Sequence, residues 1–106
     1  MANELIATEL ERGRQAQAAG NAGQARVCAR RAAGLAIKAW YQAREGSDWG
    51  GDAMTQLTRL KAEGVVPEKV RAAAGRLITK VDFDHTLPFV DDPLVDARLI
   101  IDYVQS

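Results

Sequence analysis

The segment from Gln24 to Arg44 reads QARVCARRAAGLAIKAWYQAR and is the longest run of helix-forming residues in the chain. At about 100° per residue, its small and apolar side chains gather on one broad face. Because alanine combines a high helix propensity with a small side chain, we expect one long helix against which neighbouring backbones pack closely. The residues predicted to be buried on this face are Cys28, Ala29, Ala32, Leu35, Ala36, Ala39, Trp40 and Ala43, flanked by Ala33 and Ile37.

The opposite face of this helix is basic, and an apolar line of Val27, Gly34 and Tyr41 runs through it. Guanidinium and ammonium groups bind phosphates, and a tyrosine ring offers a surface for base stacking, as in nucleotide and single-stranded nucleic-acid binders. The candidate binding residues, expected on this exposed face or at its margin, are Arg26, Arg30, Arg31, Lys38, Tyr41 and Arg44.

Two other interpretations of the basic face are open. The zero net charge and the small number of aromatic residues favour a simple solvated surface. Alternatively, the apolar line meets a second copy of the chain in a dimer, since Gly34 at a helix crossing would permit close approach.

The composition favours a single all-α domain over residues 1–106. Apolar residues make up 47% of the chain, which argues against disorder, and alanine dominates them while β-branched and aromatic residues are few. The lone Cys28 excludes an internal disulfide and a thiolate metal site, and we expect it to be buried and structural in a reducing cytoplasm. No apolar run reaches the roughly 20 residues of a membrane span, so we expect a cytoplasmic protein without membrane segment or cofactor.

Cap and turn residues divide the chain into helices. Asn3 is predicted to cap a first helix from Glu4 to about Ala19, and the tight turn that follows implies that the long helix runs back antiparallel. Trp49, in a run of turn-forming residues, is expected to seal one end of the core. The fold predicted is a compact antiparallel bundle of four to five helices, the later ones being Ala53–Glu63 capped by Asp52, one starting at Pro67, and one from Asp92 and Pro93 to about Val104.

Charge is distributed unevenly along the chain. The region from Arg12 to Arg44 holds seven basic residues and no acid, whereas the region from Asp82 to the end holds six aspartates and one arginine. We expect these two regions to neutralise each other, either across the fold or across a dimer.

The segment from Asp82 to Asp91 shows no usable periodicity and is predicted to be a loop. A metal site of His85 with Asp82 and Asp84 can be drawn, but such a loop lacks the rigid spacing of a ligand set, and no metal is predicted. The adjacent Asp91 and Asp92 are interpreted as turn and cap residues rather than as a general acid and base.

Three stretches of the chain resemble small bacterial and archaeal HEPN domain proteins. They are ARVCARRAAG from Ala25 to Gly34, VPEKVRAA from Val66 to Ala73, and DPLVDARLII from Asp92 to Ile101. The resemblance implies an all-α bundle that forms homodimers, is associated with nucleotide or RNA binding, and is often encoded beside a nucleotidyltransferase protein partner.

Catalytic members of that family are ribonucleases that use an arginine and a histidine separated by a short spacer. In this chain eight residues separate Arg76 from His85, which is longer than that spacer, and a predicted loop lies between them. The sequence therefore favours a non-enzymatic module that binds a protein partner, a nucleotide or RNA through the basic face of the long helix. The alternative is a divergent ribonuclease that uses Arg76 and His85.

Overall fold

The computed structural model describes residues 2–47, 49–79 and 91–106. Five helices form an antiparallel bundle in these residues, and none of them is in a β-strand, so the predicted all-α fold is confirmed. The predicted loop between residues 82 and 90, including His85, lies outside the described residues. The helices are α1 (Ala2–Ala18), α2 (Ala22–Glu45), α3 (Ala53–Ala62), α4 (Glu68–Ile78) and α5 (Pro93–Val104).

The long helix α2 is the centre of the bundle, because it packs against each of the other four helices. Its small side chains Ala29, Ala32, Ala33 and Ala36 are buried beside Ile37, as the sequence predicts. Small residues on one helix let a neighbouring backbone come close, which explains the dense packing around α2. The other helices contribute the larger core residues, among them Ile6, Leu10, Leu57, Leu60, Val70, Leu77, Ile100 and Ile101.

The buried face of α2 is shorter than predicted. Ala39 and Ala43 are exposed, because the fully buried core residues of α2 end at Ile37. Trp40 is half-buried and packs against the Tyr103 ring of α5, with 6.2 Å between the ring centroids. The last two turns of α2 therefore contact the rest of the bundle through aromatic rings rather than through an alanine seam.

Side-chain caps start three of the helices. Asn21 accepts a hydrogen bond from the backbone N–H of Gln24 at 3.0 Å and starts α2. Asp52 and Asp92 cap α3 and α5 in the same way, as predicted, and thereby satisfy N–H groups that have no partner inside the helix.

Two predicted helix starts are wrong by a short distance. Asn3 does not cap α1, because the helix already includes Ala2; the Asn3 side chain instead accepts a hydrogen bond from the Gln105 amide at 3.0 Å. Pro67 is the residue before the first turn of α4, and its carbonyl accepts from the N–H of Arg71 at 3.0 Å. In both cases the helix is present and only its boundary differs.

Candidate binding cleft

The predicted basic face of α2 is divided into two groups that serve different purposes. Arg26 and Arg30 turn toward the C-terminal end of α4, whereas Arg31 and Lys38 line a cleft bordered by α1 and α3. The prediction that Arg26 lies at the margin of an exposed face is wrong, because only 4% of the residue is exposed.

Arg26 and Arg30 hold the last turn of α4. Arg26 donates to the carbonyls of Arg76 and Thr79, and Arg30 donates to the carbonyls of Leu77 at 2.6 Å and Thr79 at 3.3 Å. The last carbonyls of a helix have no partner within it and carry partial negative charge, so two guanidinium groups are well placed there. Burial lowers the pKa of both arginines, and for Arg26 the neighbouring Arg30 lowers the pKa further while Asp96 opposes the change.

Arg76 is held in an ion pair between α4 and α5. Its guanidinium donates two hydrogen bonds to the buried Asp96, at 3.0 and 2.8 Å, and lies 3.7 Å from Asp91. The hydrogen bonds to Asp96 raise the pKa of Arg76. In the described residues Arg76 thus has a structural role, and its pairing with His85 in the ribonuclease alternative stays a prediction.

The described aspartates of the acidic C-terminal region form their ion pairs with arginines outside the basic region. The ion pairs of its described aspartates are made by Arg76 with Asp91 and Asp96, and by Arg98 with Asp102 at 3.8 Å. Asp96 also acts on the basic region, because its charge opposes the lowering of the pKa of Arg26. The arginines of α2 that face away from α4 are thus separate from these pairs.

The aromatic end of α2 is already occupied. The Tyr41 ring stacks on Trp49, with 4.1 Å between centroids and 30° between planes, and Trp49 packs against the core as predicted. Arg44 lies over the Trp40 ring at 4.8 Å from its centroid, a cation–π contact. Neither Tyr41 nor Arg44 lines the cleft that contains Arg31. The predicted binding residues therefore do not form one continuous surface.

Gly34 is the point where α3 touches α2. A Cβ added to Gly34 would lie 2.8 Å from the Cβ of Ala53 and 2.9 Å from its Cα. The close approach that the sequence suggested for a dimer is made within the chain instead, and Gly34 itself is buried. Gly34 is therefore not open to close approach by a second copy of the chain, and a homodimer stays a prediction.

An open cleft of about 440 Å³ lies between α1, α2 and the start of α3. Its walls are mostly apolar and are formed by Leu5, Gly34, Leu35 and Ala53. The charged groups along it are three cations and two carboxylates: Arg12, Arg31 and Lys38, with Glu9 and Asp52.

The two carboxylates differ in their surroundings. Asp52 caps α3, and the hydrogen bond from the Thr55 backbone N–H lowers the pKa of its carboxyl group. Glu9 is 8% exposed; its Oε1 accepts from Arg12 at 3.3 Å, and its Oε2 lies 3.9 Å from Arg31. That second distance is at the limit of an ion pair, so Arg31 is held only weakly.

Two buried oxygen atoms on the cleft residues lack hydrogen bonds within the described part of the chain. They are Oε2 of Glu9 and Oε1 of Gln56. Gln56 is 2% exposed, and its Nε2 donates to the Gly50 carbonyl at 2.6 Å, which fixes the orientation of the amide. A buried acceptor without a donor costs about 1–3 kcal/mol, so a donor that reached either atom would stabilise it.

Sequence reasoning identified Arg31 and Lys38 but missed Arg12, Glu9 and Gln56. Glu9 follows Ile6 by three positions, so it lies on the same side of α1 as that core residue. Gln56 precedes the core residue Leu60 by four positions, so it lies on the buried side of α3. A polar residue three or four positions from a core residue on the same helix is the feature of the sequence that could have indicated these side chains.

No protein-family model, no curated protein and no solved structure matches this chain. The HEPN resemblance, which rests on the three stretches quoted above, therefore stays a prediction.

Within residues 2–47, 49–79 and 91–106, none of the helices combines the length and apolar character needed to cross a membrane. Across the same ranges, no group of three or more histidine, cysteine or acidic side chains could hold a metal ion. Cys28 is buried, and the Gln24 amide lies 3.6 Å from its sulfur.

Proposed function

We propose that this protein is a non-enzymatic helical module that binds a nucleotide in the cleft between α1, α2 and the start of α3. The observation that carries the proposal is the position of Arg12 and Arg31, whose side chains are 65% and 58% exposed along the cleft. The HEPN-like assignment and a homodimer are compatible with this proposal and are not required by it.

The size and lining of the cleft support a small ligand. A volume of about 440 Å³ falls in the range of roughly 300–1,000 Å³ that small-molecule sites occupy. Apolar walls with a few polar groups suit a base and a sugar, while a guanidinium pair suits the phosphate because of its planar, multiple-donor geometry. Since Arg31 lies 3.9 Å from Glu9, a phosphate can replace that weak contact at little cost.

The division of the basic face favours a mononucleotide over an RNA strand. A strand needs a continuous track of cations and stacking rings. Arg26 and Arg30 are instead engaged with α4, and Tyr41 is stacked on Trp49. Only the part of the face around Arg31 and Lys38 joins Arg12 along one cleft.

Titration calorimetry with GMP and AMP tests the proposal, using Arg31→Glu as the variant. Reversing this charge should weaken nucleotide binding at least about tenfold, because it removes a phosphate partner and adds repulsion. Arg14→Glu is the matched control: it makes the same change in net charge at an exposed side chain of α1 that pairs with Glu11 at 2.8 Å and does not line the cleft.

Circular dichroism of each variant checks that the bundle is folded. Unchanged affinity in Arg31→Glu, or no binding of either nucleotide by the folded wild-type protein at millimolar concentration, would contradict the proposal.

A further inference from the structure

We infer that the cleft selects a nucleotide whose base presents amino and imino N–H groups, with guanine as the best match, through Glu9 and Gln56. This inference rests on the proposed function and specifies the ligand class of the same cleft. It starts from the two buried oxygen atoms, Glu9 Oε2 and Gln56 Oε1, that lack hydrogen bonds in the described part of the chain.

Both atoms belong to residues that line the same cleft, and both residues are more than nine-tenths buried. An ionised carboxylate accepts hydrogen bonds and donates none. The Gln56 amide is oriented by its Nε2, which donates to the Gly50 carbonyl at 2.6 Å; a flipped amide would set two oxygens against each other. The cleft wall therefore holds two acceptors, and a ligand reaches them once the side chains that cover them, such as Arg31 beside Glu9, move aside.

A complementary ligand must supply donors to these acceptors. Guanine carries an N1–H and a 2-amino group side by side, and hypoxanthine differs from it only by lacking the amino group. A site built to accept from a ligand N–H discriminates strongly against the analogue without it, because the buried acceptor is then left unpaired. Arg12 and Arg31, which are exposed along the same cleft, remain for the phosphate.

The two carboxylate oxygens of Glu9 have different contacts with the arginines of the cleft. Its Oε1 is engaged by Arg12 at 3.3 Å, whereas its Oε2 has only the 3.9 Å approach of Arg31. Oε2 is thus the oxygen that is held less firmly and is left for a ligand donor, while Arg12 orients the carboxylate. Gln56 supplies the second acceptor from α3, on the other side of the cleft from α1.

The test compares the affinities of GMP and IMP by titration calorimetry. Wild-type protein should bind GMP at least about tenfold more tightly than IMP. Glu9→Gln replaces an acceptor by a group that also donates, and it should reduce this ratio to about threefold or less. Gln56→Met removes the second acceptor without adding charge and should reduce the ratio in the same direction.

Glu11→Gln is the control, because it changes the same charge on an exposed side chain of α1 outside the cleft and should leave the ratio as in wild type. Equal affinities for GMP and IMP in wild type, with binding still lost in Arg31→Glu, would overturn the inference and leave the proposed function standing. A ratio that neither Glu9→Gln nor Gln56→Met changes, with both variants folded by circular dichroism, would also overturn it. Absence of binding by any nucleotide would overturn both.

Discussion

Replacing Gly34 with alanine tests the contact that positions α3 on α2. The new methyl group would lie 2.8 Å from the Cβ of Ala53 and 2.9 Å from its Cα, distances that real Cβ atoms essentially never show. Neither atom belongs to a flexible side-chain end, so the first turn of α3 has to move. The contact is therefore expected to be costly even though the added group is small.

Two opposing effects determine how much Gly34→Ala changes the free energy of unfolding. Alanine is favoured over glycine in a helix interior by about 1 kcal/mol. Overpacking of a well-packed site costs about 1–3 kcal/mol, and the upper half of that range applies because a backbone atom is involved. The free energy of unfolding should thus fall by about 1–2 kcal/mol, which for a chain of this length lowers the melting temperature by roughly 4–8 °C.

The assay is thermal and urea unfolding followed by circular dichroism, with a double-mutant cycle through Ala53→Gly. Removing the Ala53 methyl group relieves one of the two short contacts, so the Gly34→Ala and Ala53→Gly changes should couple favourably by about 1 kcal/mol. Gly75→Ala is the control: its Cβ would meet only the flexible Lys61 side chain, at 3.4 Å or more, and the change should stabilise α4.

The direction in which Gly34→Ala changes the melting temperature shows whether α3 presses on α2 at this position. Without the contact at Ala53, Gly34→Ala would raise the melting temperature through helix propensity alone, as Gly75→Ala is expected to do. A Gly34→Ala variant at least as stable as wild type would therefore show that α3 does not press on α2 at this position.

Three further predictions concern the polar contacts. Asp96→Ala should lower the free energy of unfolding by about 2–4 kcal/mol in urea titration, because the half-buried Arg76 loses its buried bidentate partner. Asp102→Ala, at an exposed pair, should change the free energy of unfolding by less than about 0.5 kcal/mol, and equal effects of the two changes would count against a structural role for Asp96. Arg30→Met should lower the free energy of unfolding, measured by thermal unfolding, by about 1–3 kcal/mol, because the Leu77 carbonyl loses a charged donor. Arg31→Met, at the neighbouring exposed side chain, should lower it by less than about 0.5 kcal/mol. A larger effect of Arg31→Met would show that Arg30 does not cap α4. The Thr55 backbone N–H lowers the pKa of Asp52 in the folded protein, so the ionised Asp52 cap stabilises the fold above the unfolded pKa of about 3.9, and this effect is lost as the pH falls through the lower folded pKa. The difference in melting temperature between wild type and Asp52→Ala should therefore be largest near neutral pH and become smaller in acid. A difference that grows in acid would exclude this cap.

The parts of the fold that sequence could predict are those decided by neighbouring residues. The alanine-rich face of α2 follows from a period of about 3.6 residues, and Ala32 and Ala36 are buried as that period requires. The caps at Asp52 and Asp92 involve N–H groups two or three residues away. Such local contacts are available to sequence reasoning because no knowledge of the partner helices is needed.

The predictions of exposure on α2 are wrong where a segment distant in the sequence determines the burial of a residue. Arg26 stands at the edge of the basic face on α2, and it is buried because the end of α4, about fifty residues further along, lies beside it. Gly34 lies on the same face and is covered by Ala53 rather than by a second copy of the chain. Helix periodicity gives the direction of a side chain but not the neighbour that it meets, so these positions could not be assigned in advance.

The sequence predicted the cations Arg31 and Lys38 of the cleft but not its hydrogen-bond acceptors Glu9 and Gln56. Arg31 and Lys38 are exposed as predicted, because their spacing places them opposite the alanine face. Glu9 and Gln56 come from two other helices, and the cleft exists only where α1, α2 and α3 meet. The chemistry of a site formed between helices depends on their packing, which a pattern along one helix does not contain.

The packing of α3 on Gly34 connects the stability of the bundle to the chemistry of the cleft. Gly34 and Ala53 line the cleft at their point of contact, and Gln56 follows Ala53 on the same helix. A displacement of the α3 start by a new methyl group at Gly34 therefore moves the Gln56 acceptor relative to Glu9, and binding should weaken together with stability. Arg30 donates to the C-terminal end of α4 instead, so its loss should reduce stability. Three arginines of α2 thus differ in the helix that each one faces: Arg26 and Arg30 hold the end of α4, whereas Arg31 faces α1 along the cleft.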